Sequence, residues 1–240
     1  MNFSMVLEDD LAEELCNFKN NEIKKYEINT IERIFHYYKP LILLRSEYMR
    51  RYYKDKAILR SILSNNAHID FDTSLEELAK KTIYKIILSK DKDNFPYVNI
   101  LNDKIENNLT ASFDKNEDRK KAKEHLKALF LNANYLFVYD KFINENQKQF
   151  IEFVKECFPK KPLKIFYPNC IKFKQELIDN LKEISNSWKI EENKDHKNKT
   201  YIWLHDRYII ADNKIQIILT SGIDNLMKIE KDFTYIIREL

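Results

Sequence analysis

Residues 135–167 read YLFVYDKFINENQKQFIEFVKECFPKKPLKIFY. Tyr135 to Tyr139 is an aromatic and apolar run of strand length that stops at Asp140. Asn144 to Cys157 then places Phe150, Ile151 and Val154 at helical spacing. Leu163 to Tyr167 is a second strand, with Pro162 and Pro168 marking its limits. A strand, a helical crossover and another strand imply a parallel pair with a helix laid over it, the unit of an α/β layer fold.

The same alternation continues on both sides. Upstream, Thr82 to Ser89 reads as a strand. Asp118 to Leu131 reads as a helix whose apolar side is Ala122, Leu126, Leu129 and Phe130. Downstream, Phe173 to Ser187 is a helix through Leu177, Ile178, Leu181 and Ile184. It is followed by β-like pieces at Trp188 to Glu191, Tyr201 to Ala211, Ile215 to Thr220 and Phe233 to Ile237. Lys189 to Lys199 is a polar, charged stretch of loop character. The first 75 residues differ. Leu7, Leu11, Leu15 and Phe18, then Ile23, Tyr26, Ile31, Ile34 and Phe35, recur at helical spacing, and Leu41 to Leu63 extends the pattern. Thr73 and Ser74 precede Glu77 as a capping box. The expected organisation is a helical N-terminal region, 1–75, and an α/β (α+β) domain, 76–240, with a mixed sheet flanked by helices.

Composition narrows the function classes. The chain has 240 residues, 44% of them hydrophobic, and a net charge of +3, so affinity for nucleic acid must come from local patches. A single glycine, Gly222, excludes Gly-rich phosphate loops and the dinucleotide fingerprint. Cys16, Cys157 and Cys170 have no metal-ligand spacing and form no disulfide framework. The longest apolar runs are far below the roughly 20 residues that span a bilayer. Met1 to Asp10 turns acidic without a basic leader region. A cytoplasmic protein without membrane insertion is expected.

The chemistry-bearing stretch is Tyr201 to Leu226, YIWLHDRYIIADNKIQIILTSGIDNL. In a strand, alternation puts His205 and Arg207 on one face, with Asp206 and Tyr208 on the other. Asp212 ends that strand, and the next delivers Thr220 and Ser221 into a turn at Gly222, before Asp224. These strand ends are expected to converge on one pocket. Asp140 is expected at a neighbouring strand end, either lining that crevice or acting as a helix cap or turn residue. Tyr167 and Asn169 end another strand, where a Pro-fixed turn is the simpler reading. On Arg45 to Arg60, the basic residues Arg50, Arg51 and Lys54 interleave with Tyr48, Tyr52 and Tyr53. That face reads as a solvated helix surface or as a track for a phosphate backbone.

The spacing His205-x-Arg207, four residues, Asp212, followed by Thr220-Ser221, resembles the signature of the phospholipase D superfamily. His205-Asp206-Arg207 with Gly222-Ile223-Asp224 is similar to the phospholipase-D-like domain found behind MIT domains and to its stand-alone prokaryotic relatives. The resemblance covers residues 80–240 weakly and omits 1–75. It implies a phospholipase-D-like sheet and a metal-independent, cofactor-free phosphodiesterase. In such an enzyme the motif His attacks phosphorus and a second His protonates the leaving oxygen. Carried to this chain, His205 is the nucleophile and Arg207 the phosphate cation. Asp212, Ser221 and Asp224 complete the catalytic set. Thr220 would contact substrate at the motif turn. Apart from the resemblance, Asp140 at its strand end and the basic residues Arg50, Arg51 and Lys54 are further expected substrate contacts. The chain departs from the family in having Arg207 for Lys and one motif copy, so catalysis requires a homodimer. Three functions follow as expectations. The first is a nuclease acting on DNA or RNA, of the kind found in prokaryotic defence. The second is a degenerate module that binds a phosphate-bearing ligand. The third is a subunit whose N-terminal helices dock a partner protein.

Overall fold

A computed structural model describes residues 3–22, 24–37, 39, 41–106, 109–171, 173–193 and 205–240. The chain divides into two compact units, Met1–Asn107 and Asn108–Leu240. Residues 76–107, grouped above with the C-terminal domain, fall in the first unit because their strands pair with the N-terminal one.

The first unit runs β1 (Val6–Leu7), α1 (Asp9–Lys19), α2 (Ile28–Tyr37), α3 (Ser46–Tyr52), α4 (Lys56–Asn65), α5 (Leu75–Ala79), β2 (Ile87–Ser89) and β3 (Tyr97–Asn99). Its strands form a parallel sheet in the order β1-β2-β3, with Val6 opposite Ile87 and Ile87 opposite Tyr97. The sequence reading of this region is corrected in three places, two helical and one a strand. Met5, Val6 and Leu7 are fully buried, the mark of a strand covered on both faces rather than of an amphipathic helix. The helix expected over Leu41 to Leu63 breaks into α3 and α4, because Asp55 accepts the N–H groups of Ala57 and Ile58 and starts a new helix. The strand expected over Thr82 to Ser89 shrinks to β2. Upstream of it, the Thr82 hydroxyl donates to the Ala79 carbonyl and accepts from the Lys85 N–H, and Lys85 takes φ 59°. Half of the capping box forms: Ser74 accepts the Glu77 N–H ahead of α5, while the Glu77 carboxylate pairs with Lys80.

The second unit runs β4 (Thr110–Phe113), α6 (Lys120–Phe130), β5 (Tyr135–Tyr139), α7 (Gln147–Cys157), β6 (Leu163–Pro168), α8 (Gln175–Ile184), β7 (Trp188–Asn193), β8 (Arg207–Ala211), β9 (Ile215–Leu219), α9 (Ile223–Met227) and β10 (Phe233–Glu239). These strands build one mixed sheet in the order β4-β10-β9-β8-β5-β6-β7. Strands β5, β6 and β7 are parallel, and β8 joins β5 antiparallel. The fold is therefore the mixed α/β arrangement that the alternating pattern implied. Part of the strand expected over Tyr201 to Ala211 lies outside the described residues.

Register assigns the two faces of this sheet. Leu136, Val138, Ile165, Ile209, Ile217, Leu219 and Tyr235 share one face and are buried. Helices α6 and α7 pack there. His125 of α6 hydrogen-bonds the Tyr235 hydroxyl at 2.8 Å, and Trp188 of β7 meets Phe158 just after α7. The opposite face carries Tyr135, Lys164, Phe166, Tyr208, Ile210, Ile236 and Arg238, which are not buried, and between them Phe137, Tyr139 and Ile218, which are.

The centre of the helix-covered core is aromatic. The Phe153 ring lies within edge or tilted contact of Phe130, Phe150 and Phe158, with centroids 5.5–6.5 Å apart. Such a ring buries a large apolar area, and its neighbours cannot collapse into the space it leaves. Phe153→Ala is expected to destabilise the second unit by about 3–5 kcal/mol, measured as a lower urea midpoint; an unchanged midpoint would exclude this cluster as its anchor.

Candidate functional site

At the edge where β5 and β9 end and β8 begins, the ladder sets the geometry. Tyr139 pairs with Tyr208, and Arg207 lies opposite Leu219. One further residue along β5 brings Asp140 to Arg207. The Arg207 Nε lies 3.7 Å from Asp140 Oδ1, with the carboxylate 2% exposed and the guanidinium-bearing side chain 17%. Asp140 also closes its own turn by accepting the Phe142 N–H at 2.9 Å, and reaches the Ile223 N–H at 3.4 Å. Burial pushes the Asp140 carboxyl above the usual carboxylate range, and the nearby Asp224 charge adds to this. The two N–H groups and Arg207 oppose it. Asp140 is thus a turn residue, one of the two roles its position allowed, and it lies buried against Arg207. Its role is to hold Arg207 and the β9–α9 turn.

Arg207 is engaged on several sides. Its Nη1 donates to the His205 carbonyl at 3.0 Å, and its Cζ sits 5.4 Å from the Phe142 ring centre. His205 precedes β8 instead of lying within it, and it is exposed. Strand alternation therefore does not fix its ring beside Arg207. What links the two is the bond from the guanidinium to the His205 backbone. Phe142 was not legible as a site residue; only its place two residues after a strand-ending Asp hints at it.

The turn after β9 completes this edge. Asp224 folds back over Gly222 so closely that a Cβ on Gly222 would lie 2.0 Å from its Oδ1, and a larger residue there would have to push the Asp224 side chain aside. The hydroxyls of Thr220 and Ser221 lie 3.3 Å from the Thr234 and Asp232 carbonyls and donate to them.

Several expected members do not join. Asp212 sits past the other end of β8, roughly 16 Å from Arg207 at the strand rise per residue. There its Oδ1 accepts the N–H groups of Asn134 and Tyr135, which fixes the start of β5. Arg50, Arg51 and Lys54 belong to the first unit. Arg51 is not a free phosphate contact: it forks onto Glu13 and donates to Asn17 at 3.0 Å. Arg50 and Lys54 are exposed. Tyr167 is buried and stacks on Phe173 at 4.2 Å, and Asn169 is exposed in the turn that follows. His125 is buried against Tyr235, and His196 lies outside the described residues. Among the described residues, no group of His, Cys, Asp and Glu side chains is placed to hold a metal ion, and no helix is long and apolar enough to cross a membrane.

No family model matches the chain, and no curated protein matches it. Among solved structures it is similar to TrmBL2, an archaeal chromatin protein whose structure shows a novel mode of DNA binding. That match has 12% identity and a TM-score of 0.24, and it takes in 90% of this chain and 62% of that one. At that score the likeness bears on neither the fold nor the activity.

The raised Asp140 carboxyl has a signed consequence. A carboxyl whose folded-state value lies above its unfolded one favours folding below the unfolded value and loses that contribution as pH rises through the folded value. Relative to Asp140→Asn, the wild-type protein is expected to lose stability as pH climbs from about 3.8 through the raised folded-state value. Urea unfolding of both proteins from pH 3 to pH 7 measures this, and a difference that stays constant or grows with pH would contradict it.

Proposed function

We propose that the second unit is a phosphodiester-directed domain of nuclease type, cytoplasmic and active as a homodimer. The observation that carries this reading is the buried Asp140 lying 3.7 Å from the Arg207 Nε, with the Arg207 guanidinium bonded to the main-chain carbonyl of the exposed His205. A cation anchored by a desolvated carboxylate is a preorganised partner for phosphoryl oxygens, and an exposed imidazole is a competent nucleophile near neutral pH. In the proposed reaction, a His205 ring nitrogen attacks phosphorus. The P–N bond forms as the P–O bond to the departing group breaks, and the departing oxygen takes a proton from the imidazolium of His205 of the partner subunit. Water then attacks phosphorus, breaking the P–N bond, while that same imidazole accepts the water proton. The second copy is required because, within the second unit, the other described imidazole, His125, is buried and bonded to Tyr235.

A binding-only reading has one observation in its favour. Arg207 Nη1 and the Thr220 and Ser221 hydroxyls already donate to main-chain carbonyls, so part of the edge's donor capacity is committed.

Cleavage of end-labelled single-stranded and duplex DNA and RNA in EDTA separates the two readings. The nuclease reading expects cutting that His205→Ala reduces by about 100-fold or more and Arg207→Gln by a similar factor, with the nucleic acid still bound. Equal activity in wild type and His205→Ala, or no cutting by either, would refute it.

A further inference from the structure

The other end of the β5–β8 ladder holds a cleft of about 500 Å³, lined by Tyr135, Lys164, Phe166, Asn193, Asp212 and Asn213. It lies on the sheet face opposite the helices and is separated from Arg207 by the whole length of β8. We propose that this cleft is a nucleobase-stacking subsite that takes a single-stranded nucleic acid.

Four observations support that occupant. Tyr135 and Phe166 come from neighbouring parallel strands, and their rings meet edge-on, centroids 5.3 Å apart at 61°, without being buried. A partly exposed aromatic corner at the margin of this sheet face is a platform for unstacked bases, and duplex bases cannot reach it. Asn193 and Asn213 bring amide groups to the rim, each with donors and an acceptor suited to base edges. The charge is complementary to a phosphate chain. Lys164 is exposed with no ion-pair partner among the described residues, and among these same residues Lys161 nearby donates to the neutral Asn132 carbonyl and Asn134 side chain. Finally, the one carboxylate in the lining, Asp212, is turned onto two backbone N–H groups that disperse its charge. The volume lies within the range of small-ligand clefts. Apolar lipid or a protein helix would find charged and amide groups around this rim rather than a continuous apolar surface.

The inference does not require the cutting reading, because stacking and cleavage are assigned to opposite ends of β8. The test is fluorescence anisotropy of labelled 15-mers, single-stranded dT and rU against a duplex of equal length. It uses full-length His205→Ala protein in EDTA, so that the strands stay intact. Single strands are expected to bind at least tenfold tighter than duplex. Phe166→Leu, which keeps an apolar side chain at this position, is expected to weaken single-strand binding by about 5- to 150-fold, and Phe166→Tyr to retain it. Lys164→Gln is expected to lower the salt slope by about one. Equal affinity for duplex, an unchanged affinity in Phe166→Leu with its melting curve intact, or no binding to any of these strands would overturn the proposal. In parallel, hydrolysis of bis(p-nitrophenyl) phosphate by the wild-type chain and by Phe166→Leu reads the His205 edge alone. Loss of stacking with that hydrolysis preserved, or the reverse, tells the two ideas apart.

Discussion

The antiparallel pairing of β8 with β5 is the constraint from which the functional geometry follows. Four residue pairs, from Tyr139 opposite Tyr208 to Leu136 opposite Ala211, fix the register. A slip of one residue would turn every side chain of β8 to the wrong face. With the register as it stands, the residue after β5 meets the first residue of β8, and the residue after β8 meets the first residue of β5. Asp140 with Arg207, and Asp212 with the Tyr135 N–H, are the two ends of a single ladder. Each end is locked by one carboxylate, but in different surroundings. Asp140 is buried and faces a guanidinium. Asp212 is partly exposed and serves the backbone.

Burial separates the ion pairs of this protein by consequence. Arg51 and Glu13 form a two-pronged pair with better hydrogen-bond geometry than Arg207 and Asp140. Yet both partners are a third or more exposed, where such pairs contribute about 0–1 kcal/mol. The Asp140–Arg207 contact is longer and not a hydrogen bond, but both groups are largely withdrawn from water, where losing a partner costs more than it does at the surface. The weaker-looking contact is therefore the one that constrains the structure, and it lies where β5, β8 and the β9–α9 turn meet.

Legibility followed the strength of local signals. β5 and β6 could be read from residues alone, because aromatic and apolar runs end at Asp140 and at the prolines around Leu163 to Tyr167. β3 and β4 could not: three or four residues such as Thr110–Phe113 become a strand only through pairing with β10. The break between α3 and α4 was written in Asp55, a capping residue inside an otherwise periodic run. Asp140 and Arg207 were visible as individuals, whereas their pairing depends on strand order, which no local pattern encodes. The distance of Asp212 from Arg207 follows from strand rise alone, since five extended residues cannot return to their starting point. The engagement of Arg51 by Glu13 joins residues 38 apart and is invisible to a reading of one charged helix.

A chain with a single glycine must still turn corners. Asp212 and Asn213, at φ 49° and 53°, make the β8–β9 connection with the left-handed pair that such hairpins favour. Asn21, Asn116, Leu41, Lys85 and Leu109 are held in the same region, for which Leu and Lys are poorly suited. Each such residue carries backbone strain of about 1–3 kcal/mol. The protein thus folds against a tension distributed through its corners, and thermal hardening of this scaffold would begin at Leu41 and Lys85, where losing a Cβ relieves the main chain, and not in its aromatic interior.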